Sequence, residues 1–529
     1  MKNNIKALLI TLVIANILFY LWLPPLNITA IEFWVFLFFN YYIFYVIKNF
    51  TDLFTKNGKS LIGKNIILFA LPFGIAALIF IVNFILSPVF NSKSYANRIT
   101  IDETADFTKD IKEVDFKTIP LIDKDSSQKL GDRVMGQMPE LVSQFYVSDL
   151  YTQINYKDEI IRVTPLEYSN FFKYLANHKD GVKGYIKVNS VTGAAELVKL
   201  DKGIKYTESG YFSEYLYRHI RYHYPTAILG DANFEIDNED NPYWIVPVLK
   251  YSGVSIREEV KSVLIVNAIT GEIKKYDLDQ VPTWVDHVYS ASLIIEEVDD
   301  WGKYRMGFMN TLFSQKNVVA TTTGYNYMAL NDDVYLYTGI TSVSTDEANI
   351  GFILTNMRTK ETKFYSVPGA EEYSAMASAE GQVQQMKYIS TFPLLINLDD
   401  RATYLVSLKD NAGLVKMYAF VDVNDYQKVT VTDASLGIET AAKNYLEANF
   451  KNVHDSKLVS SKIKIKDFNV IDIDGNTYYY LLDEEGSKYK IAVKTNEELV
   501  PFIKIADTYN IWYREKKNLT EIVKITKKF

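Results

Sequence analysis

The chain reads as an α+β membrane protein: three transmembrane helices, a mainly antiparallel β ectodomain of repeated helix-plus-sheet units, and a small β-barrel at the end. Three observations predict this. Apolar segments fill residues 7–23, 30–47 and 65–86, each near the roughly 20 residues a helix needs to cross a bilayer. Behind them, short runs alternate apolar and polar residues between Thr-Gly and Asp/Asn turn signals, the pattern of half-buried strands. The 529 residues include no cysteine, yet 48% are hydrophobic and 14% aromatic. A large exterior must therefore rest on buried cores and not on disulfides.

The membrane segments come first. Lys2 and Lys6 precede the first, and Lys48, Lys56, Lys59 and Lys64 lie between the second and third, while the loop 24–29 carries no basic residue. Positive charge beside a membrane stays cytoplasmic. The expected topology is a multi-pass protein of the cell membrane, with a cytoplasmic amino terminus and everything beyond about Leu86 extracytoplasmic. The first segment is expected to be an uncleaved anchor, since its seventeen residues are long for a signal-peptide core and no Ala-x-Ala site follows. Glu32 sits at the entrance of the second span, and Asn16, Asn40 and Asn83 interrupt the spans; amides in lipid are expected to pair across helices. Pro72 with Gly74 is expected to kink the third helix. No paired charges stand at mid-depth, as a transporter or channel would have, so the spans read as an anchor.

Charge divides along the same line. Residues 1–90 carry a net +4 and the remainder a net −11. An acidic exterior excludes nucleic acid as a partner, because that needs a basic footprint. Cysteine-free usage rich in Lys, Ile, Tyr and Asn is of the kind found in exported proteins of Gram-positive bacteria.

Residues 91–124 are polar and charge-rich and are expected to form a loosely packed stalk. One grammar then repeats: a helix, a Pro-containing junction, strands joined by turns. Unit one covers 125–205, with a helix near 127–142. Unit two covers 206–281, with a helix at 211–223 stopped by Tyr224-Pro225, since proline disfavours helix in the residue before it. Unit three covers 370–432, with a helix at 370–390. Val191-Thr192-Gly193-Ala194 and Ala268-Ile269-Thr270-Gly271-Glu272 are hairpin turns whose glycine supplies positive φ. Residues 282–369 are expected to be a β-rich insertion, 433–456 a linker helix, and 457–529 an OB-like barrel of short alternating strands. The helix at Tyr224-Pro225 and the hairpin Val266 to Glu272 resemble the PepSY domain of thermolysin-type propeptides and of membrane-anchored bacterial surface proteins. That resemblance covers about 200 of the 529 residues, and it implies restraint of a secreted or membrane peptidase.

No catalytic, cofactor or metal site is predicted. His219 and His223 share a helical face at the spacing of a metal pair, but Ile220-Arg221-Tyr222 between them lacks the glutamate of a metalloprotease. Asp237-Asn238-Glu239-Asp240-Asn241 and Asp472-Ile473-Asp474-Gly475-Asn476 offer oxygen ligands without EF-hand spacing. They read as turns, weak calcium binding at Asp237–Asp240 being the exception left open. Ser126/Lys129 and Ser461/Lys464 fit Ser-x-x-Lys without its companion motifs. Glu296-Glu297 and Asp299-Asp300 read as a solvated face rather than a glycosidase pair. Residues 321–345, with Asp332, Asp333, Asp346 and Glu347 near their turns, read as ordinary β-structure, a peptide- or glycan-binding loop being the alternative. The expected function is therefore non-enzymatic: a membrane-anchored extracytoplasmic protein that binds or organises protein or cell-wall partners. A wall enzyme with hidden carboxylates, a subunit of a larger membrane complex, and homo-oligomerisation stay open.

Overall fold

A computed structural model describes residues 2–49, 66–157, 159–330, 333–343, 349–450, 459–473, 476–514 and 520–527. The chain divides into two compact bodies, Met1–Ala441 and Ala442–Phe529.

Three helices, α1 (Lys2–Trp22), α2 (Ile31–Lys48) and α3 (Ile66–Leu86), are long and apolar enough to cross a membrane. Pro72 lies inside α3 and withdraws the N–H that would bond the carbonyl of Leu68, four residues back. In lipid no water can replace it. Tyr41 of α2 does so, its hydroxyl donating to Leu68 O at 2.5 Å while Tyr42 donates to Phe69 O at 3.2 Å. The expectation that Asn16 and Asn40 bond across helices is corrected. Each donates back to its own helix, to Leu12 O and Phe36 O at 2.8 Å, because the carbonyl four residues back is always within reach.

The expected stalk is no stalk. Helix α4 (Pro88–Ala96) continues beyond α3 and packs on α7 (Ala291–Tyr304), and β1 (Ile101–Asp102) adds in parallel to a later sheet. Ile99, Phe107, Ile111, Ile119 and Leu121 are all buried. The segment's charges hide apolar residues spaced too irregularly to signal a strand or helix.

Among the described residues the strands of the first body form four sheets, and all four have one topology. In the first module α5 (Lys124–Gly136) precedes β2 (Phe145–Val147), β3 (Thr152–Tyr156), β4 (Glu159–Tyr168), β5 (Val182–Asn189) and β6 (Ala195–Ile204). Strand β3 pairs with the start of β4 and β2 with its end; β5 and β6 follow in order. The second module has α6 (Leu216–His223), β7 (Ile228–Leu229), β8 (Asn233–Ile236), β9 (Pro242–Tyr251), β10 (Glu258–Asn267) and β11 (Ile273–Tyr276). The third has α7, β12 (Val319–Thr321), β13 (Asn326–Leu330), β14 (Asp333–Ser342), β15 (Asn349–Asn356) and β16 (Thr362–Tyr365). The fourth has α8 (Glu372–Gly381), β17 (Ile389–Ser390), β18 (Leu394–Leu398), β19 (Arg401–Lys409), β20 (Val415–Asp422) and β21 (Val429–Asp433). Residues 282–369 are thus not an insertion but a full module. The fourth helix also stops nine residues earlier than expected, 389–390 being a strand.

The hairpin turn shows why. Asn189, Asn267 and Asn356 each accept two backbone N–H bonds on the side-chain oxygen, from Val191 and Thr192, Ile269 and Thr270, and Arg358 and Thr359. The fourth residue after each Asn has positive φ: Gly193 at 74°, Gly271 at 76° and Lys360 at 65°. The third module therefore carries the same Asn-x-x-Thr turn with lysine where the others have glycine. Lys360 is held there by its ammonium, which pairs with the fully buried Glu297 at 2.8 Å.

A second repeated feature joins each module's lead-in to its own turn. Ile122 N donates to Ser190 O, Lys205 and Tyr206 N to Ala268 O, Val288 and Tyr289 N to Met357 O, and Ala370 N to Val423 O. Apolar clusters then bind the first module to the second, the second to the third and the third to the fourth.

The membrane helices dock on the second module. Leu26 N donates to Pro225 O, Arg221 Nε to Leu23 O, and Ser255 N to Thr29 O, while Asn83 exchanges two bonds with the backbone of Val254. The α1–α2 loop and the carboxyl end of α3 thus meet the β-rich region at one end of the helices.

In the second body, β22 (Val459–Ile473), β23 (Asn476–Asp483), β24 (Lys488–Ala492), β25 (Thr508–Arg514) and β26 (Thr520–Lys527) close a barrel in the order β22-β23-β24-β26-β25, with β24 and β26 parallel. Strand β22 is continuous over its 15 residues, with an irregularity between Ile465 and Asp467. The expected linker helix is α9 (Ile438–Asn449), and the division between the bodies falls within it.

Two substitutions test this description. Tyr41→Phe leaves Leu68 O without a donor in lipid and should lower the stability of the helical anchor by roughly 1 kcal/mol, read as earlier loss of helix–helix crosslinking in an SDS titration. Lys360→Gly relaxes the left-handed turn, worth roughly 1 kcal/mol, but strands Glu297, costing roughly 3 kcal/mol or more. Its urea midpoint should fall, and adding Glu297→Gln should recover most of the loss.

Candidate functional site

Strands β3, β13 and β18 occupy the same place in the first, third and fourth modules, and residues from all three line one cavity of about 390 Å³. Asn155 comes from β3, Met328 to Leu330 from β13, and Leu394, Ile396 and Asn397 from β18. The remaining wall is the strap 110–120, which runs beside β18: Val114 N donates to Asn397 O at 2.9 Å, and Asn397 Nδ2 donates to Ile111 O at 2.8 Å. The volume is that of a ligand pocket. Its lining is mostly apolar, with Asp110, Glu113 and Asp115 outnumbering Lys112.

Two amide oxygens at this cavity, Asn155 Oδ1 and Asn397 Oδ1, are buried and have no donor among the described residues. Asn397 is 2% exposed. A buried acceptor without a partner costs about 1–3 kcal/mol, so the cavity suits an occupant that brings N–H or O–H groups.

Behind Asn155 stands a polar wall joining three modules. Asp286 accepts from Asn155 N at 2.7 Å, and the Glu235 carboxylate accepts from Asp286 N and His287 N at 2.9 Å each. The His287 ring donates from Nε2 to Gln153 O at 2.7 Å, and Arg162 donates to Gln153 Oε1 at 2.6 Å and to Ile122 O. Burial pushes the Glu235 carboxyl up against the pull of its two backbone donors. Burial also pushes His287 down to about 4, which keeps it neutral, and Arg162 down to about 10, which leaves it charged. Glu235, Asp286 and His287 bond between modules, whereas Arg162 bonds within the first.

The residues singled out from sequence fall elsewhere. His219 and His223 lie with rings 4.7 Å apart, but His219 Nε2 bonds Gly271 O at 2.7 Å and His223 Nδ1 faces His219 O at 2.8 Å. Asp237 accepts from Glu239 N, Asn241 N and the Asn241 amide within the β8–β9 turn, and Asp240 accepts from Tyr156. Asp472 accepts from Thr477 in the β22–β23 hairpin, and Asp474 and Gly475 lie outside the described residues. Ser126 donates to Gly413 O and Lys129 to Ala412 O, so this pair clasps a turn of the fourth module. Ser461 and Lys464 lie on β22, Lys464 paired with Glu484.

The acidic run is corrected. Glu296 and Asp300 both bind Arg98, at 2.6 and 2.5 Å; Glu297 is buried on Lys360; Asp299 accepts from Thr321. Helix α7 turns these four residues towards Arg98, the third sheet and its turn, three surroundings that no sequence window contains. In 321–345, Asp333 pairs with Arg358 at 2.7 Å, and Tyr337 and Thr338 are fully buried; Asp332, Asp346 and Glu347 lie outside the described residues.

One further pair of carboxylates has unlike surroundings. Glu167 is buried and accepts from Ser148 at 2.7 Å and from Tyr146. Burial and then the nearby Glu167 charge push Glu208 up to about 7. Among the described residues no group of three His, Cys, Asp or Glu side chains is placed to hold a metal ion.

No protein-family model matches the chain, and no curated protein matches it. Among solved structures, an ACO/RPE65 chimera is 7% identical over 72% of this chain and 65% of its own, with a TM-score of 0.14. A Trypanosoma rangeli sialidase is 8% identical over 72% of this chain and 53% of its own, with a TM-score of 0.16. A Synechocystis ACO mutant is 7% identical over the same shares as the chimera, with a TM-score of 0.14. The chain thus spans less than two thirds of the length of each.

Glu208 sets a pH test. Folding raises its pKa from 4.5 to about 7, so the folded state holds the extra proton between those values. Its contribution is complete below pH 4.5 and is lost as pH rises to 7. Glu208→Gln should flatten that part of the stability profile, measured as the urea midpoint at pH 5, 6 and 7.

Proposed function

We propose that this chain is a membrane-anchored, extracytoplasmic binding protein of the bacterial cell envelope that receives an extended polypeptide segment in the cavity between its first, third and fourth modules. One observation carries the reading: two buried amide oxygens without donors among the described residues line an apolar cavity bounded by three equivalent strands and a strap. A peptide brings apolar side chains and main-chain N–H groups in alternation, the first to pack on this lining and the second to reach its two amide oxygens. The acidic residues around the cavity favour a segment with basic flanks.

The lysine distribution supports the outward orientation, together with the meeting of the α1–α2 loop and the β-rich region at one end of the helices. The fourfold helix-plus-sheet unit, with an Asn-x-x-Thr turn in three of its four copies, supports a PepSY-like relationship, under which the segment would come from a restrained peptidase. A second reading, a wall-acting enzyme, has Glu167 and Glu208 in its favour, Glu208 as the acid held protonated near neutral pH.

The test places a photo-crosslinking amino acid at Met328 in intact cells, with Tyr426 on an exposed turn as control. Polypeptide adducts should form at 328 and not at 426. Asn155→Leu should reduce them about tenfold, the equivalent of one lost hydrogen bond of about 1.4 kcal/mol. Adducts equal at both positions, or unchanged by Asn155→Leu, would refute peptide binding here.

A further inference from the structure

Two groups of large apolar side chains remain uncovered at the end of the first body where the membrane helices dock. The first surrounds the carboxyl end of α1. Phe172 is 76% exposed and Phe212 52%, with Leu175 and Tyr211 beside them. Phe212 has φ 51°, a strained conformation for a bulky residue that its burial does not reward. The patch is bonded to the span: Arg218 donates to Phe212 O at 2.7 Å and to Tyr20 O at 3.3 Å, and its guanidinium lies 4.1 Å from the Tyr20 ring. Exposed Tyr222 meets Phe19 of α1 edge-on at 6.0 Å.

The second group adjoins the far end of α3. The short helix Phe308–Leu312 packs on α4, the continuation of α3. It leaves Met306, Met309, Leu312 and Phe313 exposed, Phe313 at 77%, and Phe90 of α4 is exposed as well.

Helix α1 has 21 residues, about 31 Å at 1.5 Å per residue, which is the thickness of the hydrocarbon core with nothing to spare. Tyr20 and Phe19 therefore stand at its boundary. Asn83, three residues from the end of α3, bonds Val254, which puts the underside of the second module at the same level. Both patches flank that level and continue the apolar surface of the spans.

We infer that these two patches insert into the outer leaflet of the bilayer, so that the first body lies on the membrane, clamped on either side of its helices. The occupant is lipid. The patches are continuous with surfaces that already face acyl chains, and aromatic residues with methionine and leucine suit the headgroup–acyl boundary.

The absence of cysteine makes single nitroxide labels clean reporters in the full chain reconstituted into nanodiscs. Labels are placed by Phe172→Cys and Phe313→Cys, with Leu78→Cys on α3 as the lipid reference and Tyr426→Cys as the aqueous one. Both patch labels should relax with oxygen and resist aqueous nickel chelate, their accessibility ratio rising from the Tyr426→Cys value to that of Leu78→Cys. If either label relaxes with nickel as Tyr426→Cys does, or is shielded from both reagents as a protein contact would be, the inference is wrong. Retained far-ultraviolet dichroism of each labelled protein excludes misfolding as the cause.

Discussion

Each module of the first body is closed at one carbonyl, that of the residue just after the turn-forming Asn or Asp, which accepts from one or two N–H groups of the lead-in, at Ser190, Ala268, Met357 and Val423. This contact settles where the helix can begin and on which side of the sheet it lies, because the lead-in is pinned to the far hairpin before the helix starts. Backbone polar groups inside a protein must be paired, so a chain that buries four such hairpins needs a donor at each. The lead-ins supply them, and the modules follow one another in a line of shared apolar cores.

The same contact explains how a cavity arises between modules distant in sequence. With each sheet held in the same relation to its lead-in, the strands β3, β13 and β18 present equivalent ends, and the strap fills the space left beside β18. Asn155 and Asn397 are 242 positions apart and meet the same cavity. The polar wall of Glu235, Asp286 and His287 holds the modules together behind it. Such a wall is costly to bury, and it is bearable because backbone groups satisfy most of it.

Departures from the repeat are where the chain does something particular. Lysine replaces glycine at the third turn, and the strain of Lys360 is offset by its pairing with Glu297. Arg98, just after the anchor, gathers Glu296 and Asp300 and so fastens the continuation of α3 to the third module. Phe212 holds a left-handed backbone conformation beside the end of α1. Each departure lies along the path between the membrane helices and the sheets.

The three apolar helices, the two antiparallel modules around Thr-Gly turns and a small terminal β-barrel are legible in the sequence, because they follow from local periodicity and turn chemistry. The sequence also carried the third module's signature, Asn356 to Thr359, but with lysine at the glycine position that marks such turns. Only tertiary structure decided that the acidic run 296–300 is clasped and partly buried, that residues 91–124 are woven into the cores, and that a cavity lies between three modules. Those outcomes depend on pairings across hundreds of residues, such as Arg98 with Asp300 and Asn397 with Ile111. A charge is stabilised by whatever stands a few ångströms away, and no local pattern records what that will be.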